Sequence, residues 1–231
     1  MKKLNVLNPK FKEDYHIHSM NFSPDAMNTV EEIVQYAGKL GMKKIAITDH
    51  AEIRDKNDKV LNKHLTRRKR ILTWQNCHND VEVIFGVEAD IKNDKGELYS
   101  SIDKVEPDFI ILSYHPWTPL VNHSNPTKLL QKAIEKNHKR IFALSHLHLA
   151  DKKFPYTLDI DKIIELANKY KIPIEINANY LSEDKCYEKH LTAILEKADT
   201  LVFGSDSHVL ISMKTFKDII TKKLHELGYT F

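Results

Sequence analysis

Along this chain short apolar runs alternate with amphipathic stretches of helical period. The runs are the one ending at His18, then Lys44–Thr48, Val81–Val87, Phe109–Ser113, Ile141–Ser145, Ile172–Asn177 and Thr200–Phe203. Each is short and rich in Ile, Val or Phe, the signature of a strand buried on both faces. Between the first two, Val30, Ile33, Val34, Ala37 and Leu40 fall on one helical face. Thr29 and Glu32 have the spacing of a capping box, and Gly41 stands where a left-handed C-terminal cap belongs. Further helices are predicted from Asn125-Pro126 (inward Leu129, Leu130, Ala133, Ile134), over Asp159–Tyr170, over Glu188–Ala198, and through Phe216, Ile219, Ile220, Leu224 and Leu227 to Gly228. A basic segment between Asp58 and Asn76 also reads as helix, and the poorly patterned stretch Asn93–Lys104 as a short irregular one.

Seven strand runs alternating with about seven helices predict an α/β fold with a parallel sheet, barrel-like and wrapped by helices. No Gly/Pro/Ser-rich linker interrupts the alternation, so residues 1–231 are expected to form a single domain. At 231 residues and 42% hydrophobic content one core suffices. The net charge of +3 with 29% charged residues carries no polyanion-binding footprint, so nucleic acid is permitted rather than indicated. Cys77 and Cys186 form no paired motif and fit packed thiols in a reducing compartment. The N-terminal stretch lacks a signal-peptide core and nothing approaches a membrane span, so a soluble, cytoplasmic protein is expected.

The chemistry collects at the strand ends, where the loops of a parallel α/β fold converge on one mouth. The first run delivers His16 and His18, which project from the same face of an extended backbone. The second delivers Asp49-His50, the third Glu88, the fourth His115, the fifth His146 and His148, and the seventh Asp206 and His208. Only the sixth, ending in Asn177, lacks an ionisable candidate. Singly, such residues serve as ordinary polar strand ends, and Asp49 or Asp206 as helix caps. Jointly they exceed that role, because the remaining histidines, including His64, His78, His138, His190 and His225, fall mainly in predicted helices or loops. Neutral imidazoles with a few carboxylates suit zinc, manganese or iron better than magnesium or calcium. The supply also exceeds what one ion needs.

His16-x-His18, Thr48-Asp49-His50, Gly86-x-Glu88, Ser113-x-His115, Ser145-His146 and Gly204-Ser205-Asp206-x-His208 resemble, in order, the motifs of the PHP family, named for polymerase and histidinol phosphatase. The resemblance runs from residue 14 to about 208. It implies a distorted seven-stranded, TIM-like (β/α) barrel with a trinuclear metal centre that hydrolyses phosphoesters. Carried over, His16, His18, Glu88 and Asp206 would hold one ion, Glu88 would bridge to a second held by His115 and His146, and a third would take His50 and His208. The catalytic set so implied is His16, His18, Glu88, Asp206 and His208. Small phosphatases of the family usually add a histidine from the loop after the first motif, and Ser19–Asn28 has none. Instead Phe22-Ser23-Pro24-Asp25 resembles the polymerase-associated branch, which makes Asp25 a candidate ligand of the third ion. His148 is left with a supporting or substrate role.

The expected cofactors are two to three divalent transition metals, Mn, Zn or Fe. In the expected mechanism a metal-bridging hydroxide attacks phosphorus in line, and a rim histidine or water on the third ion protonates the leaving alkoxide. The expected partner is a small phosphorylated substrate, histidinol phosphate first. Lys92, Lys152, Lys153 and Lys214 are candidate phosphate cations, and Trp117 a stacking platform. The run Arg67-Arg68-Lys69-Arg70 is a polyanion contact or a solvated helix face. A nuclease or nucleotide-directed phosphodiesterase is the alternative, followed by a non-catalytic metal-binding scaffold.

Overall fold

The computed structural model describes residues 1–23, 25–51, 75–102, 104–115, 118, 124–149, 158–181 and 186–231. In chain order the elements are β1 (Lys2–Lys3), β2 (Glu13–Ile17), α1 (Val30–Lys39), β3 (Lys44–Ile47), β4 (Glu82–Ile91), β5 (Leu98–Tyr99), β6 (Phe109–Leu112), α2 (Pro126–Asn137), β7 (Ile141–Leu144), α3 (Ile160–Tyr170), β8 (Ile174–Asn177), a 3-10 turn (Ala178–Tyr180), α4 (Glu188–Lys197), β9 (Leu201–Gly204), α5 (Leu210–Glu226) and β10 (Tyr229–Thr230). The helix expected between Asp58 and Asn76 falls almost wholly outside the described residues, as do Lys152, Lys153, Trp117 and the basic run at 67–70.

Seven strands pair in the order β2-β3-β4-β6-β7-β8-β9, every pair parallel. The first and last strands then approach each other. Ile17 bridges Ser207, and the His18 amide donates to the Ser207 carbonyl at 2.9 Å, so the sheet curls into a nearly closed barrel. This is the seven-stranded TIM-like architecture expected. The helix signals also hold locally. Thr29 and Glu32 form the capping box of α1, Gly41 follows it at φ +69°, and Asn125 and Asp159 cap α2 and α3.

Two readings need correction. Asn93–Lys104 is not helical: Leu98–Tyr99 pairs antiparallel with Asp90–Ile91 as a hairpin. That hairpin prolongs β4 to Ile91, so Glu88 lies within a strand rather than beyond its end. The expected polar tail of the third strand is thus sheet backbone, held by β5 on one side and β6 on the other.

Strand alternation then decides what the barrel encloses. Ile45, Ile47, Val87, Ala89, Ile110, Leu112, Ile174, Ile176, Leu201 and Phe203 belong to the main core with the helix faces. Their neighbours point the other way. Ile111, Ala143 and Val202, packed with Tyr15, Phe109 and Phe142, form a small separate apolar cluster. Two residues further along the same strand faces stand Ser113, Ser145 and Gly204, all buried. The interior is therefore apolar at one level and polar at the next, and the candidate site is built on the polar level.

Candidate metal centre

His16, His18, Glu88, His115, His146 and Asp206 are each at most 5% exposed, an unusual concentration of ionisable groups. With His50, His208 and Asp25 at the rim, all of them but His16 line a cavity of about 320 Å³, which Asn179, Tyr180, Val209 and Ser212 complete, and His16 stands against His18, Glu88 and Asp206. All nine candidate ligands are thus brought to one place. His146 and Asp206 hold left-handed backbone (φ 31° and 49°), a conformation non-glycine residues seldom adopt away from functional sites.

The Nε2 atoms of His16 and His18 lie 3.1 Å apart, and Asp206 Oδ1 is 3.5 and 3.2 Å from them. Glu88 closes the group, with Oε1 3.7 Å from His16 and Oε2 3.5 Å from His18. An ion holding tetrahedral donors at about 2.0–2.2 Å separates them by about 3.3–3.6 Å, so these spacings suit a cation. Glu88 Oε1 also meets His146 Nε2 at 2.8 Å and His115 Nε2 at 3.6 Å, while Oε2 meets His50 Nδ1 at 2.9 Å. Glu88 is therefore shared by several groups. His18, His50 and His208 make a further cluster of metal-ligating spacing, and His50 makes another with Asp90 and His115. His18 belongs to two of these groups, where the sequence reading put it in one.

Hydrogen bonding sets the tautomers. His16 Nδ1 donates to Glu175 Oε1 at 2.8 Å and His115 Nδ1 to Asp90 Oδ1 at 2.7 Å. His18 Nδ1 donates to Ser23 Oγ at 2.8 Å, because the Ser23 hydroxyl spends its own hydrogen on Asp49 Oδ1. In all three rings Nε2 is left to point inward, which is how ligating histidines are oriented. Those nitrogens converge on carboxylates and on each other. Such an arrangement repels unless positive charge sits within it.

The titration behaviour reports the same demand. Burial alone would depress His16, but Glu175, Asp206 and Glu88 overcome it and lift the ring to about 10. His50 is likewise lifted to about 9 against its burial, chiefly by Glu88. His18 is pushed down to about 3 by burial together with His208 and His50, despite Asp206. Burial pushes Glu88 upward, yet His50 and His115 hold it well below the usual carboxylate range. The donor set is that of a site for divalent transition metals.

The PHP domain family model matches residues 14–179 of this chain. The chain belongs to the PHP domain family. A probable phosphatase of Shewanella piezotolerans is 30% identical over 214 residues, covering 90% of this chain and 82% of that protein. The DNA polymerase/3'-5' exonuclease PolX of Bacillus subtilis is also 30% identical, over 89% of this chain but only 36% of its own length. Among solved structures, histidinol phosphate phosphatase from Lactococcus lactis, complexed with zinc, L-histidinol and phosphate, superposes with a TM-score of 0.54 at 17% identity, covering 91% of this chain and 93% of that one. That likeness concerns the fold.

This PHP barrel also uses residues that strand-end motifs do not show. Glu175, within β8, is the largest omission: besides His16 it accepts from Ser145 Oγ at 2.6 Å, the His146 amide at 3.1 Å and Asn177 Nδ2 at 3.0 Å. Its signal was the alternation Ile174-Glu175-Ile176-Asn177, whose two isoleucines face the helices. Gly204 makes room for it, since a Cβ there would lie 2.0 Å from Glu175 Oε1. Among the described residues Asp49 caps no helix; it accepts from Ser19 N, Ser19 Oγ and Ser23 Oγ and ties down the loop after the first motif. His148 does not line the cavity. Its Nε2 accepts from the Asn177 amide at 3.0 Å, and its Nδ1 has no partner among the described residues. Asp25 reaches His208 Nε2 at 3.2 Å from the solvent side. Lys214 is exposed and Lys92 lies over the Tyr99 ring; neither lines the cavity. Among the described residues no helix is long and apolar enough to cross a membrane.

Proposed function

We propose that the cleft hydrolyses a phosphomonoester with two to three divalent ions, Mn, Zn or Fe, held by His16, His18, Glu88 and Asp206, by Glu88, His115 and His146, and by His50, His208 and Asp25. The observation that carries this reading is the inward convergence of the His16, His18 and His115 Nε2 atoms on Glu88 and Asp206. The class itself, a hydrolase of phosphoric ester bonds, is that of the probable phosphatases it resembles over most of their length.

When bound, paired divalent ions bring the pKa of water toward neutrality and neutralise charge growing on the phosphoryl oxygens. The chain's own contribution is orientation. Glu175, Ser23 and Asp90 fix the rings of His16, His18 and His115, and Ser113 Oγ holds Glu88 Oε1 at 2.6 Å. Tyr180 lines the cavity, where burial, with Asp206 and Glu88 nearby, pushes its hydroxyl far up and keeps it a neutral donor. His208 at the rim is lifted to about 8 by Asp25 and Asp206 against its burial, and so carries a proton that an ion held there would displace. Asp25 itself is drawn down to about 2, chiefly by His208.

The test is a substrate panel with added manganese: histidinol phosphate and other monoesters beside nucleotides and short oligonucleotides. Phosphate release from monoesters supports the reading, and cleavage confined to internal phosphodiesters rejects it. The likeness to PolX favours the second reading, a nuclease or nucleotide-directed phosphodiesterase. Nucleic-acid cleavage would weaken steeply with salt, whereas monoester hydrolysis would not.

A further inference from the structure

The strand β8 ends in Asn177, the one barrel strand end without an ionisable candidate, and this side chain is fully buried. Its Nδ2 carries two hydrogens and meets two carboxylates, Glu175 Oε2 at 3.0 Å and Asp206 Oδ2 at 3.3 Å. Its Oδ1 accepts from the Asn179 amide at 3.0 Å and so starts the Ala178–Tyr180 turn. The network fixes the orientation of the side-chain amide, because the reverse would set its oxygen against two carboxylates.

Both carboxylates serve the same candidate ion. Glu175 fixes the ring of His16, while Asp206 turns its other oxygen, Oδ1, toward His16, His18 and His208 at 3.5, 3.2 and 3.6 Å. A carboxylate with both oxygens free can clasp an ion with both, whereas one whose Oδ2 is claimed by an N–H offers a single donor. Behind Asn177 stands His148, also fully buried, whose Nε2 accepts from the Asn177 backbone amide at 3.0 Å. The ring hydrogen is therefore on Nδ1, which has no partner among the described residues. Resting on the metal-dependent phosphoesterase reading, we infer that Asn177 is a positioning residue of the centre, supported by His148: one amide holds Asp206 to single-oxygen ligation through Oδ1 and keeps Glu175 behind His16. The same side chain anchors the turn that brings Asn179 and Tyr180 to the cavity.

The test is Asn177→Asp, which is close in shape and still accepts from the Asn179 amide but has no N–H for Glu175 or Asp206. A residue that only caps the turn tolerates this exchange, since Asp and Asn serve that role alike. The chelator-stripped protein is loaded with cobalt(II), a coloured stand-in for zinc, and read by visible d–d absorption, metal content and phosphate-release kinetics. Asp206, released, takes hold with both oxygens, so the d–d bands should weaken at unchanged cobalt content as coordination number rises. In the same samples kcat should fall about 10- to 100-fold, with KM within about twofold of wild type. His148→Leu, which leaves the Asn177 amide without its acceptor, should weaken the bands in the same way, and His148→Gln, which returns an acceptor, should restore them. A folded Asn177→Asp or His148→Leu protein with the wild-type spectrum, or a change confined to the melting temperature, would overturn the assignment while leaving the metal centre intact. Wild-type protein that takes up no cobalt would overturn the reading beneath it as well.

Discussion

Replacing Glu175 by Gln should disable the centre without touching any proposed ligand. The carboxylate accepts four hydrogen bonds, from His16 Nδ1 on one oxygen and from Ser145 Oγ, the His146 amide and Asn177 Nδ2 on the other. An amide has one oxygen, so its NH2 must face at least one of these donors. The least costly choice turns it toward His16, which sacrifices one charge-assisted contact, about 1.5–3 kcal/mol. His16 then either loses its partner or moves its hydrogen to Nε2, where it blocks the inward nitrogen. Losing such a support behind a metal-ligating histidine weakens metal affinity or activity by about 10- to 100-fold, or about 1.4–2.7 kcal/mol. The assay is metal titration of the chelated protein by calorimetry, with phosphate release on the same samples and circular dichroism to confirm folding. A Glu175→Gln protein that is folded and matches the wild type in both would refute the assigned role of the carboxylate.

Gly204→Ala should resemble it, because the new Cβ would lie 2.0 Å from Glu175 Oε1 and 3.1 Å from His16 Cβ; elemental analysis and the melting temperature would both fall. Asp25→Ala should remove the weakest-held ion and spare those on Glu88, seen as reduced metal content after dialysis with the His16 and His146 resonances still metal-shifted. Chelation should lower the melting temperature, since a ligand at about a thousand times its Kd adds about 4 kcal/mol per site, and calorimetry with and without chelator measures it. In the metal-free protein His16, His50 and His208, with pKa values near 10, 9 and 8, carry protons at neutral pH that ions must displace. Metal affinity should therefore rise with pH between 7 and 9, with about three protons released on full loading at about pH 7, as calorimetry in buffers of different ionisation enthalpy would show.

The placement of eight of the nine candidate ligands was legible because parallel strands carry the residues at and near their C-terminal ends to one rim, and His16-x-His18 needs only an extended backbone to aim both rings together; Asp25, in the loop after β2, was legible only through the family resemblance. Where they converge came from the same logic. What was not legible depended on neighbours distant in sequence. A lone Glu between two isoleucines reads as a flaw in a buried strand; only Gly204 on β9 and His16 on β2 make room and a partner for it. The weak pattern after Asn93 hid a hairpin, since Leu98–Tyr99 is too short to show a strand period. Asp49 looked like a helix cap from its place after a strand, and the Ser19 and Ser23 hydroxyls that claim it lie 30 and 26 residues away.

The central claim is that the histidine and carboxylate cluster works by holding cations for ester hydrolysis. It is tested most directly by stripping the protein with chelator, titrating back manganese or zinc, and following bound ions and phosphate release from a monoester in one sample. The account predicts no release from the stripped protein and activity that returns as two to three ions bind per chain. Full phosphate release from the stripped protein, or fewer than one ion bound at saturation, would contradict it.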